Sequence, residues 1–159
     1  MAELIGRLAY FFQRRNTILV IQAGAILLLG SSLFTWISTG DLSLSGADMA
    51  PLVRTLGVVA VIAGVLVSIA RRWIRGLLGA VLLGGGVIAL IAALLALLNP
   101  AAAAAPALSR LGEQAAAYST GIGLWAALLG SLAVTAGALG VLLFSPGWED
   151  ETGESRSSR

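Results

Sequence analysis

From Gly76 to Leu98 the sequence runs through a whole membrane's worth of apolar residues without a single charge. About 20 residues rising roughly 1.5 Å each cover the ~30 Å hydrocarbon core of a bilayer. Lipid offers backbone N–H and C=O groups no partner, so a run of this kind folds as a helix. Three further stretches repeat the pattern, at about 17–37, 51–70 and 121–144. Among them only the second holds a charge, Arg54, close enough to one end for its side chain to snorkel to the surface. The expected fold class is an all-α membrane protein. Four transmembrane helices form a compact bundle (17–144), with a short amphipathic segment before it (1–16) and a disordered tail after it (145–159).

Composition agrees with lipid as the solvent. Hydrophobic residues make up 58% and charged residues 11%, against about 25% charged in a soluble domain. The net charge of +2 and pI near 9.9 would suit nucleic acid in a soluble protein. Here the Arg residues flank the spans as topology signals do, so no nucleic-acid partner is expected. The chain has no Cys and no His. That removes disulfides, thiolate and imidazole metal sites, and the Ser-His-Asp and Cys-His arrangements. Coupled pumps and embedded hydrolases need an ionisable group at depth, at a cost of at least ~2.5–3.5 kcal/mol. The spans offer none beyond Arg54. The expectation is a protein that is not an enzyme, with no cofactor and no metal.

Orientation follows from Arg71-Arg72-Trp73-Ile74-Arg75, a run too short to cross a bilayer. Its flanking spans must be antiparallel, and basic residues concentrate in short cytoplasmic loops. With this turn inside, both termini are cytoplasmic. Arg7, Arg14, Arg15, Arg71, Arg72, Arg75, Arg156 and Arg159 then lie inside, and only Arg54 and Arg110 outside. Trp36 and Trp125 mark the outer interface as anchors, Trp73 and Trp148 the inner one. The expected location is the plasma membrane of a bacterium, with the bilayer as the main partner.

In the first segment Leu4, Ile5, Leu8, Phe11 and Phe12 share one helical arc, opposite Glu3, Arg7, Gln13 and Arg14. Such a helix lies in the headgroup layer, unless the segment is a frayed basic terminus that only supplies charge. Small residues recur every four positions at Ala60, Gly64 and Ser68, and again at Gly76, Ala80 and Gly84, as close helix packing requires. Gly84-Gly85-Gly86 could break the third span at a binding site, but no polar side chain accompanies it, which favours packing. The outer loop 38–50 holds the candidate polar residues Asp41 and Asp48. Nothing nearby fixes their separation, and Asp48 is placed to accept N–H groups where Pro51 opens the second span. In the other outer loop, 99–120, Pro100 and Pro106 bracket a low-complexity alanine tract. Ala107 to Tyr118 suits a short surface helix with Arg110 and Glu113 spaced i,i+3.

The run Ser45-Gly46-Ala47-Asp48-Met49-Ala50-Pro51-Leu52-Val53, the Arg-Arg-x-x-Arg-Gly turn, and a Trp closing the first span together resemble one family. This is the actinobacterial tryptophan-associated transmembrane protein family, encoded near tryptophan-biosynthesis genes. Trp36, Gly46, Pro51, Arg71, Arg72 and Gly76 carry the resemblance over residues 17–144. The tail departs from the family pattern, where a basic residue precedes a Trp and an Arg-Tyr pair follows; here Gly147 precedes Trp148. The resemblance implies four spans and a link to tryptophan metabolism, and it brings no reaction with it. The leading expectation is a non-enzymatic accessory or scaffold protein that forms a homo-oligomer or binds a membrane partner. The alternative is a facilitator for an amino acid or other neutral metabolite, its path lined by Gln22, Ser68, Ser131, Thr135 and Gly84–Gly86.

Overall fold

A computed structural model describes residues 14–40, 42–112 and 117–144. In chain order they form α1 (Arg14–Ser31), β1 (Thr35–Thr39), β2 (Leu42–Ser45), α2 (Gly46–Met49) and α3 (Pro51–Ile69). Then follow α4 (Arg72–Leu98), α5 (Pro100–Leu111), β3 (Ser119–Thr120) and α6 (Ile122–Phe144). Among the described residues three helical stretches, Pro51–Ile69, Trp73–Leu98 and Ile122–Phe144, are long and apolar enough to cross a membrane. The apolar Arg15–Ser31 is shorter. The amphipathic segment expected at the N-terminus falls, apart from its last residues, outside the described residues, as does the tail.

α6 is the hub. α1 packs chiefly against it, α4 covers its other side, and α3 closes the ring between α1 and α4. Ile21, Ala25, Ala63, Val67, Leu82 and Val134 meet in the middle. Apolar surface gains nothing by leaving lipid, so such a bundle is held by close van der Waals contact between small residues. The α1–α6 seam shows how close. A Cβ on Gly24 would lie 2.9 Å from the Gly130 carbonyl oxygen, and one on Gly130 would lie 2.8 Å from that of Gly24. Only a pair of glycines lets these two backbones touch.

At one end of the bundle the connection between α3 and α4 shrinks to Ala70 and Arg71. The expected five-residue turn is therefore corrected to two residues, because α4 already begins at Arg72. Arg75 lies within its first turn, its backbone N–H bonded to the Arg71 carbonyl at 3.0 Å. Helical spacing sets Arg75 on one face with Gly79, Leu82 and Gly86, all buried. Its own side chain is only 8% exposed.

The opposite end carries a cap. The first helix stops at Ser31, not near Ile37 as its hydropathy suggests. The hydroxyls of Ser31 and Ser32 turn back onto the carbonyls of Leu28 and Leu29, at 2.6 and 2.7 Å. The Thr-Trp-Ile-Ser-Thr run that follows has the β-branched and aromatic side chains that suit a strand. β1 sits at the centre of a three-stranded antiparallel sheet ordered β2-β1-β3. Thr35 pairs with Ser45 and Ile37 with Leu44, so the register slips at Trp36. This bulge lets two consecutive side chains, Trp36 and Ile37, both face inward.

Two further expectations about the loops are corrected. The alanine tract is helical: Pro100 occupies the first turn, the Asn99 side chain accepts from the Ala102 N–H at 3.2 Å, and α5 continues through Pro106 to Leu111. Alanine is the strongest helix former, which outweighs the low complexity of the run. The short helix expected over Ala107–Tyr118 therefore lies earlier, at Pro100–Leu111.

Candidate functional site

The cap brings several polar side chains of the described residues together. Trp36 is its keystone at 1% exposed, with its indole N–H donating to the Ser31 carbonyl at 2.9 Å. The ring lies directly over Gly46, where any Cβ would run into the indole nitrogen. Trp36 is thus not an anchor at the lipid boundary, because the bulge in β1 turns it into the protein. Around it, Gly121 donates its N–H to the Trp36 carbonyl at 2.7 Å. Ser38 and Ser119 share a hydroxyl hydrogen bond at 2.8 Å between β1 and β3.

Asp48 is also placed differently from expectation. It does not serve the start of α3, because its carboxylate turns back to Ser45. Oδ2 accepts from the Ser45 hydroxyl at 2.6 Å and from the Ser45 N–H at 3.1 Å. The Asp48 N–H in turn donates to the Ser45 Oγ at 3.3 Å. This reciprocal box closes the short α2. The Ser45 hydroxyl, and after it the Ser45 N–H, holds the Asp48 carboxyl below its ordinary pKa, against a slight opposing effect of burial. At neutral pH the carboxylate is charged. Asp41 lies outside the described residues.

Among the described residues, three concavities of ligand size or near it bear on function. One of about 380 Å³ lies between the β2–α2 corner and α5, with an apolar floor that includes Leu44, Ala107 and Leu111. Asp48 and Arg110 both line it, and neither forms an ion pair among the described residues. A second, of about 420 Å³, lies where α4 meets α5 and is lined by Trp36, Met49, Ala50, Ala96, Asn99 and Ala103. The third, about 230 Å³, sits within the bundle wall beside Gly84–Gly86 and is lined by apolar groups such as Leu56, Val59 and Ile88. α4 runs unbroken through that glycine triplet.

The other residues singled out from the sequence are scattered. Ser131 and Thr135 donate to carbonyls of their own helix, at 3.0 and 2.8 Å, and Ser68 donates to the Val65 carbonyl. Gln22 lies over Gly64. Ala60 and Gly64 are buried in the stripe that also holds Ser68, whereas Gly76, Ala80 and Gly84 form no comparable seam. A Cβ at Gly76 or Gly84 would meet nothing within 4 Å, and Ala80 is exposed. Trp73 is 73% and Trp125 is 52% exposed, at opposite ends of the bundle. Arg15 and Arg71 are exposed. Arg14 and Arg72 are the first residues of α1 and α4, and Trp148 lies outside the described residues.

Two features of the cap escape a reading of the sequence by spans. Ser45-Gly46-Ala47-Asp48 spells the Ser-x-x-Asp capping pattern, a signal that would have located the α2 box. Arg110 has no such signal, since nothing in sequence links it to Asp48. A family model described as tryptophan-associated transmembrane protein matches residues 18–156. No curated protein and no solved structure matches the chain.

Proposed function

The chain belongs to the tryptophan-associated transmembrane protein family, and from that premise we propose a non-catalytic accessory protein of the plasma membrane. It crosses the bilayer four times, with α1 as the shortest span, and keeps both termini in the cytoplasm. The cap then faces outward and the Arg71 turn inward. As an accessory protein it holds a membrane partner, or a second copy of itself, in the service of tryptophan metabolism.

One observation carries this reading. Along several seams apolar side chains pack directly against glycine, as Ile21 does at Gly137 and Val141 at Gly79. Such tight apolar seams suit a rigid support better than a conduit. Chemical crosslinking in native membranes, followed by extraction in mild detergent, should retain a partner or a homo-oligomer. Monomer alone under every mild condition overturns the reading. So would tryptophan flux into proteoliposomes above that of empty vesicles, which favours the facilitator.

Orientation has its own test. Reporter fusions after Ala103 and after Leu143 should report outside and inside respectively. Replacing Arg71, Arg72 and Arg75 together with neutral residues should scramble that pattern. Unchanged topology in the triple variant would remove the turn from the account.

A further inference from the structure

The cleft between the β2–α2 corner and α5 sets one carboxylate and one guanidinium on the rim of an apolar floor. Its volume of about 380 Å³ falls within the ~300–1,000 Å³ typical of small-molecule sites. The two charges do not neutralise each other, for no ion pair joins them among the described residues. The bonds from Ser45 all fall on Oδ2 of Asp48, which orients the carboxylate and leaves Oδ1 for a donor in the cleft. Arg110 stands in the last turn of α5, where its fork can take a carboxylate or phosphate in two parallel hydrogen bonds. A simple anion would be repelled by Asp48 and a simple cation by Arg110, so the pair selects against both.

We propose that this cleft binds a compact zwitterion with an apolar appendage. The ammonium group meets Asp48, the anionic group meets Arg110, and the appendage lies over Leu44, Ala107 and Leu111. Two sources share that chemistry: a free α-amino acid with an apolar side chain, and the headgroup of a zwitterionic phospholipid. The assignment goes beyond the accessory reading and does not depend on it, since a scaffold without any ligand would satisfy that reading.

Calorimetry on the full chain in phosphatidylglycerol nanodiscs tests it, with L-leucine, L-phenylalanine and L-tryptophan as probes. At least one should bind saturably, and its amide and its N-acetyl derivative should each bind about 10- to 100-fold more weakly, as expected for loss of a charge-assisted hydrogen bond. Arg110→Gln should bring the amino acid and its amide to equal affinity. Asp48→Asn should do the same for the amino acid and its N-acetyl form. Arg110 is exposed on α5, so its variant keeps the fold, which an unchanged circular dichroism spectrum and unfolding midpoint verify; the Arg110 arm stands even if Asp48→Asn loosens α2. If instead phosphatidylethanolamine is retained over phosphatidylglycerol on purification, blocks the amino acids, and is lost in Arg110→Gln, the zwitterion site stands with the headgroup as its occupant. The proposal is overturned if no probe binds and no zwitterionic lipid is retained. It is equally overturned if the affinity ratios are the same in the variants as in the native chain.

Discussion

The two ends of this bundle are built on opposite principles. At one end α3 passes to α4 through two residues, Ala70 and Arg71. At the other, the connection leaving α1 and the connection entering α6 are woven into one sheet, with β1 paired to both β2 and β3. The turn is local and needs only that two helices stop. The cap is non-local, and its strands come from residues 35–45 and 119–120. Apolar burial stabilises the bundle little when the alternative environment is lipid, whereas a cap that lies outside the lipid would gain hydrophobic stabilisation from burying Trp36.

Paired substitutions at the two ends test this contrast. Trp36→Ala should cost about 3–5 kcal/mol, the range for removing a buried aromatic, whereas Trp73→Ala, exposed at the start of α4, should stay within about 0.5 kcal/mol. Reversible unfolding in mixed micelles measures both, and equal effects would break the comparison. Within the bundle, Gly130→Leu should destabilise by about 1–3 kcal/mol or more through overpacking. Gly84→Leu, with nothing within 4 Å of its Cβ, should be close to neutral on the same assay. Ser45→Ala removes one side of the α2 box and should cost about 0.5–2 kcal/mol.

The smallest effect is on pH. The folded Asp48 carboxyl titrates below its ordinary value, so its stabilising contribution is complete at neutral pH, above the unfolded pKa. It is lost as pH falls through the folded value. The stability gap between the native chain and Ser45→Ala should therefore be widest near neutrality and should narrow on acidification. A gap that is constant with pH would show that Asp48 does not draw its low pKa from Ser45.

The helices of the bundle were legible in the sequence because lipid leaves hydropathy as the main determinant. α3, α4 and α6 follow their apolar runs to within a few residues. The same criterion carried the first span too far, since Leu33 and Phe34 in a turn and Trp36 and Ile37 in a strand are as apolar as in a helix. Trp36 misled for a related reason. A tryptophan near the end of an apolar run marks either an interface or the core of a cap, and only the bulge decides between them. The Gly76–Ala80–Gly84 stripe has the same spacing as Ala60–Gly64–Ser68, yet the two face different surroundings. Periodicity identifies a helix face, but which neighbour that face meets depends on how the ring of helices closes. The presence of Asp48 and Arg110 in one cleft depends on tertiary contact between α2 and α5 and leaves no trace in local pattern.

The pairing of β1 with β3 also sets an order of events in biogenesis. The first helix and its strand emerge early in synthesis, but Ser119 and Thr120, which complete the sheet, are made only after α3, α4 and α5. Until then β1 keeps an open edge, and the Gly121 N–H that closes over the Trp36 carbonyl is not yet in place. A chain whose last span fails to enter the membrane therefore leaves one edge of its first strand open, with only β2 beside it.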